Sequence, residues 1–300
     1  MTMLRIGIDL GGTKTEAIAM TPDGEIVMRD RQPTERSYTA SLQQIHSMVD
    51  TIERHLGMRA RVGLGVPGSP SPKTGLMCNA NSTWLNNKPF QADLEAQLER
   101  PVRIANDADC FALSEASDGA GKTGRSVFGV ILGTGVGGGL VIDKRLLEGV
   151  QGIAGEWGHN PLPWMTPAEY PGPQCWCGKS GCIETFLSGP GLSRAFKTAY
   201  GQTMSAQDIA ANPSSEAKRA RALYADQLAR ALASVINLVD PDLIVFGGGV
   251  SNMPGLVDAT QERVGRYVFS DHISTRLVRN EHGDSSGVRG AAWLWGAAGE

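Results

Sequence analysis

Two segments of the chain share one pattern of apolar and polar positions. Arg5–Leu10, Glu16–Met20 and Glu25–Arg29 are short runs of β-forming residues separated by the turn sequences GGTK and PDG, which predicts an antiparallel meander. The pattern returns further along, where the predicted strands Val127–Leu132 and Leu140–Asp143 flank a second glycine-rich loop. We interpret the second segment as an internal repeat of the first.

Helical periodicity and further short apolar runs fill the rest of the sequence. Apolar residues recur at helical spacing in Ser41–Leu56 and across Ala217–Val239. Other helices are predicted at Asp93–Glu99, Ala108–Ala116 and Gly287–Trp295, and other strands in RVGLGV, VRIAND and LIVF. Two α/β halves that each begin with a strand, a glycine turn and a strand are typical of the actin-like, hexokinase-type (ribonuclease H-like) duplicated fold.

The length of the chain favours two domains. A chain of 300 residues exceeds what one ordinary core accommodates, so we expect two domains with an interdomain cleft, where small molecules commonly bind. The predicted division is a smaller N-terminal α/β domain, 1–118, and a larger C-terminal α/β domain, 119–286, which contains a cysteine-rich insert, 156–184. The C-terminal helix, 287–300, is predicted to pack back on the first domain.

Charge and hydropathy exclude several classes of protein. The chain has 28 basic and 31 acidic residues, a formal net charge of −3 and no basic run, so we expect neither a nucleic-acid nor a membrane partner. The first residues have no apolar stretch of the signal-peptide kind, and no segment approaches the roughly 18 apolar residues of a membrane span. We therefore expect a cytoplasmic protein that acts on small molecules.

Glycine is enriched at the ends of predicted strands. The chain has 38 glycines, a share well above the usual value of about 7 per cent. They concentrate in Leu10–Lys14, Leu132–Gly139 and Phe246–Gly249, each directly after a predicted strand. Because the first loop turns one strand into the next instead of opening a helix, it matches neither a Rossmann fingerprint nor a Walker loop. We interpret the three loops as backbone approaches to one ligand.

Three of the five cysteines lie within eight residues, and His159, one of only five histidines, stands sixteen positions before the first of them. The spacing His159-x15-Cys175-x-Cys177-x4-Cys182 supplies one imidazole and three thiolates, a complete tetrahedral ligand set for Zn²⁺. Four protein ligands leave no open position, so the predicted zinc is structural and the insert is zinc-binding. The alternative is that the thiols are close by chance. An odd cysteine count in a reducing compartment argues against a disulfide framework, and the other two cysteines are predicted to be buried thiols.

Seven motifs spread over residues 6–251 carry a resemblance that covers nearly the whole chain: IGIDLGGTKTE, GVPGS, IANDAD, GTGVGGG, GEWGHNPLP, CWCGKSGCIE and IVFGGGVS. Together they resemble the ROK family of bacterial sugar kinases and related repressors. NANSTWLN, EWGHNPLPW and HGDSSGVRGAAWLW are most similar to its fructokinase (manno-fructokinase) branch. The resemblance implies ATP-dependent phosphorylation of D-fructose at its 6-hydroxyl, with mannose as a second substrate. Glucose, N-acetylglucosamine and N-acetylmannosamine stay open as acceptors.

The resemblance assigns the three glycine loops to ATP, bound with Mg²⁺. A glycine turn exposes successive backbone N–H groups that can face phosphate oxygens, and side chains would block that approach. Asp9 ends a strand at the position where actin-like kinases hold Mg²⁺. The predicted nucleotide-binding residues are Asp9, Gly11, Gly12, Thr13, Lys14, Gly133, Thr134, Gly135, Gly247, Gly248 and Gly249.

Asp107 is the predicted catalytic base. Phosphoryl transfer requires in-line positioning, charge neutralisation and a carboxylate at the acceptor oxygen, and Asp107 stands where the strand VRIAND runs into the helix Ala108–Ala116. Backbone N–H groups and the helix dipole are expected to keep its carboxylate ionised and to lower its basicity. The alternative is that Asp107 only caps the helix, which is worth about 1 kcal/mol to stability.

Polar residues at the positions where the family contacts its sugar complete the predicted site. The predicted sugar-binding residues are Gly68, Asn81, Asn106, Asp107, Glu156, His159 and Glu184. Glu156 and His159 are three residues apart and share a face on a helical turn. Because His159 and Cys182 stand close to Glu156 and Glu184 in the sequence, we expect the zinc to stiffen the sugar pocket.

Two functions from other classes compete with the kinase. ROK-type repressors carry a helix-turn-helix domain before the first glycine loop, whereas five residues precede Ile6 here, so DNA binding is disfavoured. A sugar sensor without catalysis would be expected to have lost Asp107 or the phosphate loops, and both are intact. Family likeness also implies a homodimer.

Overall fold

The structure is a computed structural model that describes residues 4–296. Its strands, numbered in chain order, are β1 (Arg5–Leu10), β2 (Lys14–Met20), β3 (Ile26–Pro33), β4 (Arg61–Val66), β5 (Ser69–Pro70), β6 (Met77–Cys78), β7 (Val102–Asn106), β8 (Ser126–Leu132), β9 (Val136–Ile142), β10 (Arg145–Leu146), β11 (Leu243–Gly247) and β12 (Arg276–Arg279).

The helices are α1 (Tyr38–Leu56), α2 (Phe90–Leu98), α3 (Asp107–Ser117), α4 (Ile183–Leu187), α5 (Gly189–Tyr200), α6 (Ala206–Ala211), α7 (Ser215–Val239), α8 (Leu256–Val264) and α9 (Ser286–Trp293). Short 3₁₀ turns form at Thr83–Leu85, Trp157–His159, Gly249–Asn252 and Gly283–Ser285. In the part of the chain that the structure describes, no helix combines the length and the apolar character that a membrane crossing needs.

The first large sheet has the strand order β3-β2-β1-β4-β7. β2 pairs antiparallel with β1 and β3, whereas β4 runs parallel to β1 and β7. On β1, Ile6 and Ile8 on one face have no solvent exposure and Gly7 on the other face is buried too, as expected for a central strand that is covered on both faces. The predicted meander at the start of the chain is therefore the antiparallel side of a mixed sheet.

The second large sheet has the order β10-β9-β8-β11-β12, which repeats the connectivity of the first. β11 runs parallel to β8 and to β12. Phe246 and Gly247 pair with Val130 and Ile131, so β8 and β11 end side by side. The carboxyl ends of adjacent parallel strands thus bring the second and third glycine loops to one edge of this sheet.

A helix cap at each end fixes the extent of α1. The Ser37 hydroxyl accepts the backbone N–H of Ala40, and Gly57 ends the helix in the left-handed region with φ 67°. The buried side of α1 joins the core of the first sheet through Ile45, Met48, Val49 and Ile52.

The C-terminal helix α9 packs against α3. The carboxylate of Glu115 accepts the Ser286 hydroxyl at 2.8 Å and the backbone N–H of His282 at 3.1 Å. Asp118, just after α3, lies 2.8 Å from Nε2 of His282 and forms an ion pair with Arg289. Burial by itself raises the pKa of Asp118, but these two partners outweigh it and lower the pKa. The HGDSSGVRGAAWLW segment therefore has a packing role.

The chain divides into two compact units. The first comprises residues up to Lys122, residues 139–154 and residues from His282 onward, and the second comprises 123–138 and 155–281. Within the first unit the Lys144 ammonium donates to the Ala116 carbonyl at the end of α3. Residues 139–154 group with the N-terminal part, whereas the sequence-based division placed them in the second domain. The predicted boundary between 118 and 119 stays a prediction.

A buried ion pair fastens the segment before the cysteine cluster to α7 in the second unit. The Arg230 guanidinium forms two hydrogen bonds with the Glu169 carboxylate, at 2.7 and 2.9 Å, and a third with the Trp164 carbonyl. Although burial raises the pKa of Glu169, the bonds from Arg230 and Gln227 outweigh it and lower the pKa to about 2. The segment that leads into the cysteine cluster is therefore held against α7.

Candidate functional site

The first glycine loop connects β1 to β2 in the first unit. Its backbone is held from both sides, because Gly11 N–H donates to the Lys14 carbonyl at 3.0 Å and the Thr34 hydroxyl donates to the Gly11 carbonyl at 2.7 Å. Thr34 N–H also donates to the Thr13 carbonyl at 3.1 Å. Gly12 and Thr13 are exposed, and a Cβ added at Gly12 would meet no protein atom within 4 Å. The loop backbone is therefore held in place by hydrogen bonds, and Gly12 and Thr13 at its tip are accessible.

Asp9 lies at the end of β1, beside this loop. Burial raises the pKa of its carboxyl to about 6, and repulsion from Asp107 and Glu16 adds to the rise, while the Lys14 ammonium opposes it. Glu16, opposite Asp9 on β2, was not predicted from the sequence. Its buried carboxylate is paired with Arg29 and Arg31. The loop therefore adjoins a group of carboxylates.

Asn106, not Asp107, is the N-cap of α3. The Asn106 side-chain oxygen accepts the Asp109 N–H at 2.6 Å, and Asp107 is the first residue of the helix. The N-cap position, considered from the sequence as an alternative role for Asp107, is therefore filled by Asn106. Asp107 Oδ1 accepts the Ala108 N–H at 2.9 Å.

The basicity expected for Asp107 also needs correction. Although Asp107 is solvent-exposed as a residue, protein groups surround its carboxyl closely enough that desolvation raises the pKa. The Ala108 N–H opposes the rise but does not reverse it. The sequence-based expectation was a lowered basicity, because it counted the helix N-terminus and left out desolvation. A raised pKa makes this carboxylate a better proton acceptor than an ordinary aspartate.

The two other predicted sugar residues of the first unit lie near one turn. Gly68 has φ 77°, and a Cβ there would lie 2.7 Å from the Ala80 nitrogen, so the local packing already requires glycine. Asn81 is exposed. The Asn86 side chain bonds both the N–H and the carbonyl of Ala80, each at 2.9 Å, and so fixes the backbone next to Asn81.

The second and third glycine loops adjoin each other in the second unit. Gly133 N–H donates to the Gly135 carbonyl at 3.0 Å, and the Gly133 carbonyl accepts Gly189 N–H at 2.7 Å. Gly248 has φ 84°, and a Cβ there would clash with the backbone of Leu132. By contrast, a Cβ at Gly133 or at Gly249 would meet no protein atom within 4 Å. Thr134 is exposed at the tip of its loop.

Glu184, predicted to bind sugar, lies against the second glycine loop. One oxygen of its carboxylate accepts the backbone N–H of Val136 at 3.1 Å, and the other accepts the indole N–H of Trp176 at 2.7 Å. A Cβ at Gly135 would lie 2.8 Å from the first oxygen, so the carboxylate and the loop are in close contact. A predicted sugar residue and a predicted nucleotide loop thus meet within one unit.

The four predicted metal ligands converge. One ligand atom from each of His159, Cys175, Cys177 and Cys182 lies within 4.8 Å of all the others. Nδ1 of His159 is 3.6 Å from Sγ of Cys175, and the Sγ atoms of Cys177 and Cys182 are 3.6 Å apart. Around a tetrahedral zinc with Zn–S bonds of about 2.3 Å, sulfur atoms are about 3.8 Å apart. The group has the ligand types and the spacing that such an ion requires.

The remaining predicted sugar residue stands at the start of a 3₁₀ turn. Glu156 is exposed and directly precedes the turn Trp157–His159. The Trp157 indole N–H donates to the Gly137 carbonyl at 2.9 Å, and its ring packs edge-on against Phe128. Trp157 therefore anchors the turn that carries Glu156 and the metal-cluster histidine.

The predicted residues divide between the two units. Asp9, the first glycine loop, Gly68, Asn81, Asn106 and Asp107 belong to the first, and the other two loops, Glu156, His159, Glu184 and the cysteines belong to the second. Sequence reasoning missed four residues that hold them in place, namely Glu16, Asn86, Trp157 and Trp176. All four lie inside motifs that had been recognised, but their contacts depend on tertiary packing.

Fold and site together define an actin-like duplicated α/β protein. Residues 5–298 match the ROK family. The chain is 40% identical over 296 residues to the N-acetyl-D-glucosamine kinase of Escherichia coli O6:H1, covering 96% of this chain and 98% of that protein. The ROK hexokinase from Thermus thermophilus has a TM-score of 0.87 at 30% identity, with 97% of each chain covered.

A ROK family glucokinase from Streptomyces griseus, solved in complex with glucose and AMPPNP, has a TM-score of 0.74 at 26% identity, covering 97% of this chain and 98% of that one. The chain belongs to the ROK family. The family and the duplicated α/β fold predicted from the sequence are thereby confirmed.

Proposed function

We propose that the chain is an ATP-dependent sugar kinase that transfers the terminal phosphate to a hexose, with N-acetyl-D-glucosamine as the preferred acceptor. The observation that carries the kinase assignment is shared by Gly12, Gly133 and Gly249. Each lies in a different glycine loop, none has a positive φ, and none would bring a Cβ within 4 Å of a protein atom. Neither backbone conformation nor packing requires glycine there, whereas a phosphate or nucleoside lying on the backbone does.

Asp9 suits a Mg²⁺ ion that arrives with ATP. Carboxylate oxygens are the ligands that Mg²⁺ prefers, and Asp9 combines one with a position beside an open glycine loop. When bound, the ion supplies neutralisation of phosphate charge. The role of this chain is to hold the ionised carboxylate and the bare loop next to each other, with Lys14 as a further cation for phosphate oxygens.

Asp107 takes the proton of the sugar hydroxyl. Capping of α3 is already done by Asn106, and the desolvated Asp107 carboxylate has a raised pKa. As the hydroxyl oxygen bonds to the terminal phosphorus and the bond from that phosphorus to the ADP oxygen breaks, the hydroxyl proton moves to Asp107, which reduces the cost of ionising the hydroxyl. The helix holds the carboxylate at one point, which gives the positional precision that in-line transfer requires.

The choice of sugar rests on the similarity to the N-acetyl-D-glucosamine kinase of Escherichia coli. An identity of 40% over nearly the full length of both chains favours N-acetyl-D-glucosamine as the acceptor. Phosphorylation of D-fructose, the acceptor predicted from the sequence, stays a prediction. Hexokinase and glucokinase structures of the same family keep glucose as a further candidate.

The four converging residues His159, Cys175, Cys177 and Cys182, here called the metal group, are proposed to form a structural zinc site. Three thiols and one imidazole fill a tetrahedral coordination sphere, so the ion would have no position for substrate. Burial and the neighbouring thiols Cys177 and Cys175 raise the pKa of Cys182 to about 12, and a bound cation would offset this cost of ionisation. A homodimer, implied by family likeness, is a separate part of the proposal that sedimentation velocity would test.

A coupled ADP-release assay tests the assignment. Wild-type protein with Mg²⁺-ATP would be given N-acetyl-D-glucosamine, N-acetyl-D-mannosamine, D-glucose, D-mannose and D-fructose in turn. We expect the highest kcat/KM with N-acetyl-D-glucosamine. A higher kcat/KM with D-fructose would support the sequence-based prediction instead, and no sugar-dependent ADP release would contradict the kinase assignment.

A further inference from the structure

Trp176 is an exposed aromatic residue at an unusual place, between two cysteines of the metal group. Trp176 is 71% exposed, yet its indole N–H donates to the Glu184 carboxylate at 2.7 Å. An exposed indole N–H can donate to water, so exposure does not require it to have a protein partner. This one has a specific partner, and the partner is a predicted sugar ligand.

The ring of Trp176 also contacts the metal group, through His159. It packs edge-on against His159, with ring centroids 4.9 Å apart and an interplanar angle of 89°. The turn that carries Trp176 is closed by hydrogen bonds from Cys175 N–H to the Lys179 carbonyl at 2.7 Å and from Gly178 N–H to the Cys175 carbonyl at 3.0 Å. Trp176 is therefore positioned by the metal-binding turn.

Glu184 in turn is oriented by two donors of different origin. Val136 N–H, at the end of the second glycine loop, holds one oxygen at 3.1 Å, and Trp176 holds the other. A carboxylate with one fixed hydrogen bond can still rotate, whereas two donors on different oxygens define its plane. The direction of the remaining lone pairs is then fixed as well.

We propose that Trp176 is a positioning residue, which transmits the order of the metal-binding turn to Glu184 and so fixes the carboxylate for the sugar. This proposal rests on the proposed function, because the binding of sugar by Glu184 is part of that function. It explains how a closed metal site affects a substrate that the metal does not touch. The path runs from the turn Cys175–Cys177 through the indole N–H to Glu184.

The substitution Trp176→Phe tests this role. It keeps an aromatic ring beside His159 and removes the N–H donor. Loss of a hydrogen bond to a charged group at an exposed site should raise the sugar KM about three- to tenfold, with kcat and the ATP KM changed less than about twofold. Trp164→Phe is the matched control: Trp164 is also exposed, in the same unit, and its ring stacks on Tyr267. We expect it to leave all three constants within about twofold.

A spectroscopic readout separates positioning from general loosening of the fold. In a ¹H–¹⁵N spectrum the Trp176 indole signal is identified by its absence in Trp176→Phe. We expect this signal to shift in Glu184→Gln and after metal removal, and to stay in place in Trp164→Phe. In a double-mutant cycle, Trp176→Phe combined with Glu184→Gln should add less than about twofold to the sugar KM of Glu184→Gln alone. Metal content by mass spectrometry should equal wild type in Trp176→Phe.

The outcomes distinguish this role from the proposed function. If wild-type protein phosphorylates sugar and Trp176→Phe has the wild-type sugar KM, the positioning role is wrong and the kinase assignment stands. An indole signal that ignores Glu184→Gln, or additive effects in the cycle, would overturn the role in the same way. If wild-type protein phosphorylates no sugar, both proposals fail together.

Discussion

The Glu184 carboxylate accepts a hydrogen bond from the backbone N–H of Val136 at 3.1 Å. Val136 directly follows the loop Gly133–Gly135, so a side chain predicted to bind sugar holds the end of a loop predicted to bind nucleotide. Cys182, two residues before Glu184, belongs to the metal group. A short stretch of the second unit therefore links the three parts of the candidate site.

Removal of the metal should weaken sugar binding more than nucleotide binding. We expect wild-type protein to carry about one zinc per chain, measured by inductively coupled plasma mass spectrometry, since four ligands converge on one point. Cys175→Ser should lose the zinc, lower the melting temperature by several degrees and raise the sugar KM about tenfold or more, because the turn that carries Trp176 loses its anchor.

Cys78→Ser is the control for that experiment, because Cys78 lies in the first unit and its thiol donates to the Ser69 carbonyl outside the metal group. It should keep the zinc and the sugar KM. An unchanged sugar KM in Cys175→Ser protein that has demonstrably lost its metal would contradict the link between the metal and the sugar site.

Asp107→Asn should remove catalysis and spare binding. The amide keeps the size of the side chain but cannot accept the hydroxyl proton, so kcat should fall about 10²-fold or more. The sugar Kd, measured by isothermal titration calorimetry, should change less than about fivefold. Asp208→Asn is the control, because Asp208 also lies in the first turn of a helix, α6, whose cap is Ser205. Retention of kcat in Asp107→Asn would show that another group takes the proton.

Alanine at Gly249 and at Gly248 should have different effects. Gly249 has room for a Cβ, so Gly249→Ala should melt within about 2 °C of wild type while the ATP KM rises about tenfold, because the added methyl group meets the nucleotide. Gly248 has φ 84° and its Cβ would clash with Leu132, so Gly248→Ala should lower the melting temperature as well. An unchanged ATP KM in Gly249→Ala would mean that the third loop does not bind ATP.

The pH dependence of activity should report Asp9 together with Asp107, whose pKa is also raised. The pKa of Asp9 is raised from 3.8 to about 6, so the carboxyl takes up a proton as the pH falls through 6 and loses the charge that suits Mg²⁺. The kcat/KM for Mg²⁺-ATP should therefore rise with pH up to about 6 and then level off. A profile that is flat between pH 5 and 7 would contradict this assignment.

Stability should change in the opposite direction over the same range. A carboxyl group with a raised pKa in the folded state binds its proton more tightly there than in the unfolded state. Asp9 therefore contributes a loss of stability as the pH rises from 3.8 to about 6. In Asp9→Asn the free energy of unfolding, measured in urea, should lack this contribution.

Local patterns in the sequence were sufficient for the backbone that carries the site. Arg5–Leu10 is a strand with the predicted bounds, and the strand–glycine turn–strand unit recurs in two sheets of the same order. The period-2 and period-3.6 patterns and the turn glycines indicate local structure. Strands, helices and turns are local structure, so they could be predicted. The clustering of the four predicted metal ligands could be anticipated for a similar reason, because three of the four lie within eight residues.

Interactions between distant residues were not predictable in the same way. Asn106 and Asp107 are both good capping residues, and the sequence does not say which side chain turns back onto the helix. The raised pKa of Asp107 depends on desolvation by surrounding groups, which no spacing shows. Trp176 and Glu184 are eight residues apart, and their bond requires the metal-binding turn to fold back on α4. The roles of these residues in binding and catalysis stay predictions.

Direct observation of the product tests the central claim. Wild-type protein would be incubated with Mg²⁺-ATP and N-acetyl-D-glucosamine and followed by ³¹P NMR, with Asp107→Asn in parallel. We expect a sugar phosphomonoester signal that grows in step with ADP in the wild type and is absent in Asp107→Asn. Release of ADP and inorganic phosphate without a sugar phosphate from this or any other hexose, by protein that retains its metal and melts cooperatively, would contradict the account.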